Sequence, residues 1–448
     1  MADTWLTNAL AGLDGPLHER LAQAIAAAIE EGRFKAEERL PTHRDLSRRA
    51  SVSIGTVTKA IDLLAARGLV RGQVGRGTFV LGTPSAMRGM IDLSLNVPPL
   101  LIPESIMLAA GERALRRVLR LPGGGLYDLR GTPEQRHTFA HWLSRTRVAL
   151  DPDHLLLCMG AQQAIHLSFS DLRPHSTLIA SESETFSGAL AAAADLGMQW
   201  LPVEHDDEGM LPDRLDAALA SSGCRIIYTI PVCQNPLGFE VGRARREAIL
   251  DVARRHDAYI VEDDVYGIYA HEQSPTYKAL SPARVYYATS LSKCLTPLVR
   301  AGVLAPPAER LNGMSRRLRA QVFGAPPTAL ELGCALIELE ADRQAADALT
   351  REARARTRLA QEILRLPTVP MPSGAPHLWL PMPAAEAEKL ARRAGEHGIR
   401  LTPPDAGSVG AHPGGLRLSI LAPATRGDME QALRQLVRLL DNPDEVVV

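Results

Sequence analysis

Beyond residue 90 the chain alternates apolar runs of four to six residues with longer stretches of helical periodicity. That alternation is the signature of a mainly parallel sheet covered by helices, and it admits few other folds. In open sheets of this kind ligands bind beyond the carboxyl ends of the strands. Residues just after the runs, far apart in sequence, should therefore meet in space.

Five run ends carry residues of interest. After Leu155-Leu-Leu-Cys-Met comes Gly160-Ala161-Gln162-Gln-Ala-Ile, small residues opening a helix whose free backbone amides can hold a phosphate. After Thr177-Leu-Ile-Ala comes a loop from Ser181 that contains Phe186, which on its own reads as a core residue. After Ile226-Ile-Tyr-Thr-Ile comes Pro231-Val-Cys-Gln-Asn235-Pro-Leu-Gly, where Asn-Pro alone would pass for a turn. After Ala258-Tyr-Ile-Val come Glu262, Asp263, Asp264 and Tyr266. Clustered acids could hold a metal, but a pyridine cofactor wants one carboxylate under its ring nitrogen and a phenol near its ring oxygen, and Asp263 and Tyr266 supply these. No metal is expected.

The fifth end is Val285-Tyr-Tyr-Ala-Thr-Ser290-Leu-Ser292-Lys293, followed by Arg300. By itself Lys293 could be a surface lysine at a strand end. Ser290-Leu-Ser-Lys293 also satisfies the S-x-x-K signature of penicillin-recognising enzymes, but the S-D-N and K-T-G strings that should accompany it are missing from this sequence. Phosphate cradle, aromatic plate, amide, carboxylate, phenol, lysine and arginine in this order make a pocket for pyridoxal 5'-phosphate, with Lys293 forming the Schiff base.

The first eighty residues differ in charge and pattern. Residues 34–80 hold nine basic and four acidic side chains, a net of +5, in a chain whose formal net charge is −1. Leu17, Leu21, Ile25 and Ile29 recur along a helix from Pro16 to Gly32. Thr42 can cap a helix through Arg49, and after the turn Ala50-Ser-Val-Ser, Ser53 can cap a second from Ile54 to Arg67. Leu69 to Leu81 reads as a β-hairpin with Arg71 and Arg76 about its tip. A helix-turn-helix with a basic wing fits double-stranded DNA; a helical protein-docking module is the bland alternative.

Composition excludes other classes. With no apolar run of about 18 residues and no basic, then apolar, amino-terminal signal, no membrane span is expected and the expected location is the cytoplasm. Five widely spaced cysteines without a C-x-x-C pair suggest neither disulfides nor zinc.

Leu40-Pro-Thr-His-Arg-Asp-Leu, Val52-Ser, Gly55-Thr-Val, Lys59-Ala and Gly75-Arg-Gly-Thr-Phe-Val resemble the DNA-binding domain of GntR-type bacterial regulators. The resemblance implies a winged helix-turn-helix over residues 12–82, with Arg44, Thr56, Thr58, Lys59 and Arg76 contacting operator DNA. Ile54 stands where that family usually carries arginine. After a short linker, 83–90, residues 91–448 resemble the fold-type I, class I/II aminotransferases, with a small α+β subdomain at about 370–440. That resemblance assigns the phosphate to Ala161, Gln162, Ser290 and Arg300, the ring to Asn235, Asp263, Tyr266 and Phe186, and a substrate or effector carboxylate to Arg417 in Gly415-Leu-Arg-Leu-Ser; Ser292, beside Lys293, is a further cofactor-binding candidate. Tyr127, in Leu126-Tyr-Asp-Leu-Arg-Gly, would reach the cofactor of the neighbouring subunit of a domain-swapped homodimer. Leu237 departs mildly from the usual threonine.

The combination resembles MocR-type transcriptional regulators. It implies a protein that senses an amino acid, an amine or pyridoxal phosphate itself by amine exchange at Lys293. The alternative is an active aminotransferase with a DNA-binding head.

Overall fold

The computed structural model describes residues 6, 9–10, 16–30, 33–34, 38–66, 69–73, 77–80, 90–125, 128–270, 274–366, 374–410 and 414–442. It divides into two compact units, Met1–Met90 and Ile91–Val448.

In the first unit a helix runs Leu17–Glu30. Leu21, Ile25 and Ile29 are its buried stripe, whereas Leu17, expected on the same face, is 42% exposed. The helix His43–Ala50 is capped by Thr42, whose hydroxyl accepts the Asp45 amide at 3.2 Å. Ser51 then takes a left-handed conformation, which ends the helix tightly. Ser53 caps the helix Ile54–Ala66 through the Thr56 amide at 3.1 Å. Strands β1 (Val70–Gln73) and β2 (Gly77–Val80) pair in antiparallel register, Val70 opposite Val80. Residues 38–40, unassigned from sequence, add to this hairpin through a bridge between Arg39 and Phe79 and a bond from the Leu40 amide to the Thr78 carbonyl at 2.9 Å. Leu21, Ile25, Leu46, Val57, Leu64 and Val80 form one core. Gly32, Arg67 and Arg76 lie outside the described residues.

The second unit holds β3 (Ile91–Asp92), β4 (Leu156–Cys158), β5 (Leu178–Glu182), β6 (Gln199–Val203), the small pair β7 (His205–Asp206) and β8 (Gly209–Met210), β9 (Ile226–Thr229), β10 (Tyr259–Asp263), β11 (Val285–Ser290), β12 (Gly302–Ala305), β13 (Leu378–Leu380), β14 (Ile399–Arg400) and β15 (Leu416–Leu418). Seven of these form one sheet in the order β4-β12-β11-β10-β9-β5-β6, and only β12 runs against the rest. Every residue of β9 and β11 is buried, which is why these strands read as continuous apolar runs.

Three strands run past Ala180, Val261 and Ala288, where their apolar runs end. β11 continues to Ser290, β10 takes in Glu262 and Asp263, and β5 takes in Ser181 and Glu182. Polar residues at the end of an apolar run looked like loop; here the ladder persists because their side chains find buried partners. The alternating segment Ile91–Leu95 pairs over only two residues, and it does so with β14.

β13 pairs with β15, and the helices Ala384–Glu396 and Arg426–Asp441 cover them. Their core, built on Leu378, Leu390, Leu416, Met429 and Leu433, also draws in Leu93 and Ala360. The smaller layer therefore takes segments from before and after the large sheet, beyond the expected 370–440. The helix Ala341–Leu364 is rich in arginine, yet it buries a stripe through Ala345, Leu349, Ala353 and Ala360.

Candidate functional site

The carboxyl ends of the sheet open into a cavity of about 350 Å³, within the range of small-molecule sites. Its wall includes Ala161, Gln162 and Phe186 from the first two strand ends, and Asn235, Asp263 and Tyr266 from the next two. Ser290, Ser292, Lys293 and Arg300 come from the fifth, and Arg417 reaches in from β15. Tyr127 lies outside the described residues.

The turn after β4 is shaped for an anion. Gly160 has φ +80°, a conformation that favours glycine, and it starts the helix Ala161–Leu172, whose first residues line the cavity and whose first amides have no partner within the helix. Gly302 of β12 lies against it: a Cβ there would be 2.6 Å from the Gly160 carbonyl carbon. The Gln162 side chain does not face an anion as a free donor, because its amide nitrogen donates to the Gly188 carbonyl at 2.6 Å; only its backbone amide remains for that task. Gly188 leaves room for Phe186 as well, since a Cβ there would meet the phenyl ring at 2.4 Å.

Asp263 is buried and accepts from the Tyr228 hydroxyl at 2.9 Å through Oδ2, while Oδ1 has no partner. Burial pushes its carboxyl up to about 6. A buried carboxylate with one idle oxygen is a receptor for a positively charged N–H donor. Burial, reinforced by Arg417 and Arg300 against the pull of Asp263, lowers Lys293 to about 8. A larger share of Lys293 is thus the free amine, the nucleophilic form, near neutrality.

Lys293 Nζ donates to the backbone carbonyl of Asn96. Arg417 donates to Asn235 Oδ1 at 2.8 Å, to Thr402 Oγ1 at 2.9 Å and to the Ser94 carbonyl. Its Nε is buried without a partner. Three cations against one carboxylate suit a ligand bearing phosphate and carboxylate groups.

Sequence reasoning missed Asn96, Thr402, Gln234 and His377. The Asn96 side-chain amide donates to Tyr266 Oη at 2.8 Å and to His377 Nδ1 at 2.7 Å, and His377 Nε2 bonds the Gln234 carbonyl at 3.0 Å. The one available signal was a lone histidine inside the apolar run Ala375-Pro-His-Leu-Trp-Leu.

In the first unit Arg44, Thr58 and Lys59 are exposed. Thr56 exchanges a hydrogen bond with the Ser53 hydroxyl at 2.9 Å, and Thr58 donates to the Ile54 carbonyl at 3.1 Å. Ile54, half exposed, stands at the start of the second helix.

The aminotransferase class I and II family matches residues 88–436, and the gntR family of bacterial regulatory proteins matches residues 17–80. The HTH-type transcriptional regulator TauR of Rhodobacter capsulatus is 28% identical over 448 residues, covering 88% of this chain and 90% of that protein. The probable rhizopine catabolism regulatory protein MocR of Rhizobium meliloti is 27% identical over 338 residues, 68% of each. Among solved structures, an archaeal alanine:glyoxylate aminotransferase superposes with TM-score 0.70 at 24% identity, over 79% of this chain and 91% of that one. The α-aminoadipate aminotransferase LysN of Thermus thermophilus, solved with N-(5'-phosphopyridoxyl)-L-leucine, gives 0.69 at 23% identity, over 84% and 97%.

Proposed function

Since the chain belongs to the class I and II aminotransferase family and carries a gntR-family reader, the pairing found in MocR-type transcriptional regulators, we propose that it is a cytoplasmic regulator whose DNA affinity responds to an amino acid or amine at Lys293. The aminotransferase fold implies pyridoxal phosphate as the cofactor, and the residues present fit it. The single observation that carries this reading is the idle oxygen of buried Asp263, one wall away from a lysine whose basicity is lowered.

When bound, pyridoxal phosphate supplies an aldehyde that condenses with primary amines and a ring that withdraws electrons. Lys293 is the resident amine. The amides at Ala161 and Gln162 with Ser290, Ser292 and Arg300 would hold the phosphate. Phe186 would lie against the ring, Asp263 would hold the proton on its nitrogen, and Asn235 and Tyr266 would bond its oxygen. An effector amine would take the place of Lys293 while Arg417 binds its carboxylate in exchange for the Ser94 carbonyl. The signal is the difference in effector affinity between two arrangements of the chain, typically about 1–3 kcal/mol.

The exposed leucines 95, 108, 115, 119 and 298 support a homodimer, since apolar side chains this exposed suit cover by a second copy. Among the described residues no helix is long and apolar enough to cross a membrane.

Single-turnover mixing of the cofactor-loaded protein with amino acids separates regulator from enzyme. A persistent covalent complex with altered operator affinity is the expected result. Sustained conversion with a keto acid at about 1 s⁻¹ or faster would identify an aminotransferase instead. On the DNA side, Arg44→Ala is expected to weaken operator binding and to reduce the slope of log affinity against log salt by about one. An unchanged slope in a salt titration would remove Arg44 from the interface.

A further inference from the structure

The hydrogen-bond chain behind the site has a fixed direction. The Gln234 carbonyl can only accept, so His377 Nε2 carries the proton and Nδ1 is an acceptor. His377 Nδ1 therefore takes one hydrogen of the Asn96 amide, which points its other hydrogen at Tyr266 Oη. Asn96 Oδ1 is left buried with no partner, yet reversing the amide would set that oxygen against the lone pair of His377 Nδ1, so the orientation holds while His377 stays neutral. Burial, with Arg417 and Lys293 nearby, keeps His377 neutral by lowering it to about 3. Tyr266, accepting from Asn96, has its own hydroxyl proton free, and Tyr266 lines the cavity beside Lys293.

From this geometry we infer that His377 and Asn96 are positioning residues that turn the Tyr266 proton toward the ring oxygen of the bound cofactor, and so set the protonation of the group formed with Lys293. The inference rests on the proposed cofactor reading. Without the His377 acceptor the Asn96 amide can reverse, its oxygen can capture the Tyr266 proton, and the cofactor loses a donor. The other charged or titratable groups around Tyr266 include Asp263, Tyr228, Arg417 and Cys233, with Tyr269 beside its ring and Lys293 itself facing Arg417 and Arg300. None of them touches the His377 ring nitrogens.

The readout is the pH midpoint of the visible absorbance of the cofactor-loaded full chain, with borohydride trapping as a check on attachment. His377→Phe, which keeps the ring volume, and Asn96→Asp, which replaces the donor by an acceptor, are each expected to raise the midpoint by about one unit or more, tenfold in the proton equilibrium. His377→Gln, which retains a donor and an acceptor, should restore it toward the parent value. In a Tyr266→Phe background His377→Phe should add no further shift, because both act through one hydroxyl. Parent midpoints in His377→Phe and Asn96→Asp overturn the inference. So does loss of cofactor from both variants while Tyr266→Phe keeps it, because a residue acting through Tyr266 cannot matter more than Tyr266. A parent protein that stays colourless with added pyridoxal phosphate instead overturns the cofactor reading beneath it.

Discussion

Lys293→Ala protein is expected to give no borohydride-reducible adduct with pyridoxal phosphate, and its operator affinity should no longer respond to any amino acid or amine. The expected loss is complete because, among the described residues, only one amine reaches the floor of this cavity. Basal DNA binding should survive, since the helix-turn-helix packs around a core of its own. In the parent chain, adduct formation should speed up as pH rises through about 8 and then level off, because burial beside Arg417 and Arg300 lowers Lys293 to that value. An unperturbed lysine would keep gaining rate toward about 10.4. Stopped-flow mixing of cofactor-free protein with pyridoxal phosphate across that range checks the point. A rate still climbing steeply above pH 9 would show that Lys293 is not desolvated, and an adduct that persists in Lys293→Ala would place the chemistry on another lysine.

Arg417→Ala should discriminate among ligands. Charge-assisted hydrogen bonding to a carboxylate is worth about 1.5–3 kcal/mol, so amino acids should bind about tenfold to about 150-fold more weakly. Simple amines without a carboxylate should lose little, because Arg417 reaches only Asn235, Thr402 and the Ser94 carbonyl among the described protein groups. Titration of the cofactor absorbance with matched amine and amino-acid pairs measures both. Equal losses for the two classes would mean that Arg417 supports the pocket wall and does not select carboxylates.

The sequence made some of this legible and hid the rest for physical reasons. The five strand ends could be read because buried parallel strands leave uninterrupted apolar runs, and chemistry collects just past them. Ser290 and Asp263 were found, but as loop residues, because a polar side chain looks like a strand stop until its buried partner is known. Thr42 and Ser53 were legible as caps because capping is local. Asn96 and His377 were not, since they are 281 residues apart and neither has a neighbour in sequence that hints at the other. Asn96, followed by Val-Pro, reads as a turn, and a single histidine before β13 reads as filler. Gln162 was assigned to the phosphate by resemblance, yet its side chain is bound to Gly188; a motif gives the residue but not the direction in which it points.

The short segment after β3 has a consequence for affinity. Its Ser94 carbonyl accepts from Arg417 and its Asn96 carbonyl accepts from Lys293, so the main chain itself offers an acceptor to each of these two cations. On the proposed reading an effector carboxylate would have to displace the Ser94 carbonyl from Arg417 before its own contacts count, and the measured dissociation constant would be weaker than the intrinsic one by the fraction of time Arg417 is free of that carbonyl. A receptor of the proposed kind would have a threshold: an amine without a carboxylate leaves the Ser94 carbonyl on Arg417, and only a molecule that brings an amine to the place of Lys293 and a carboxylate to Arg417 would displace the chain itself.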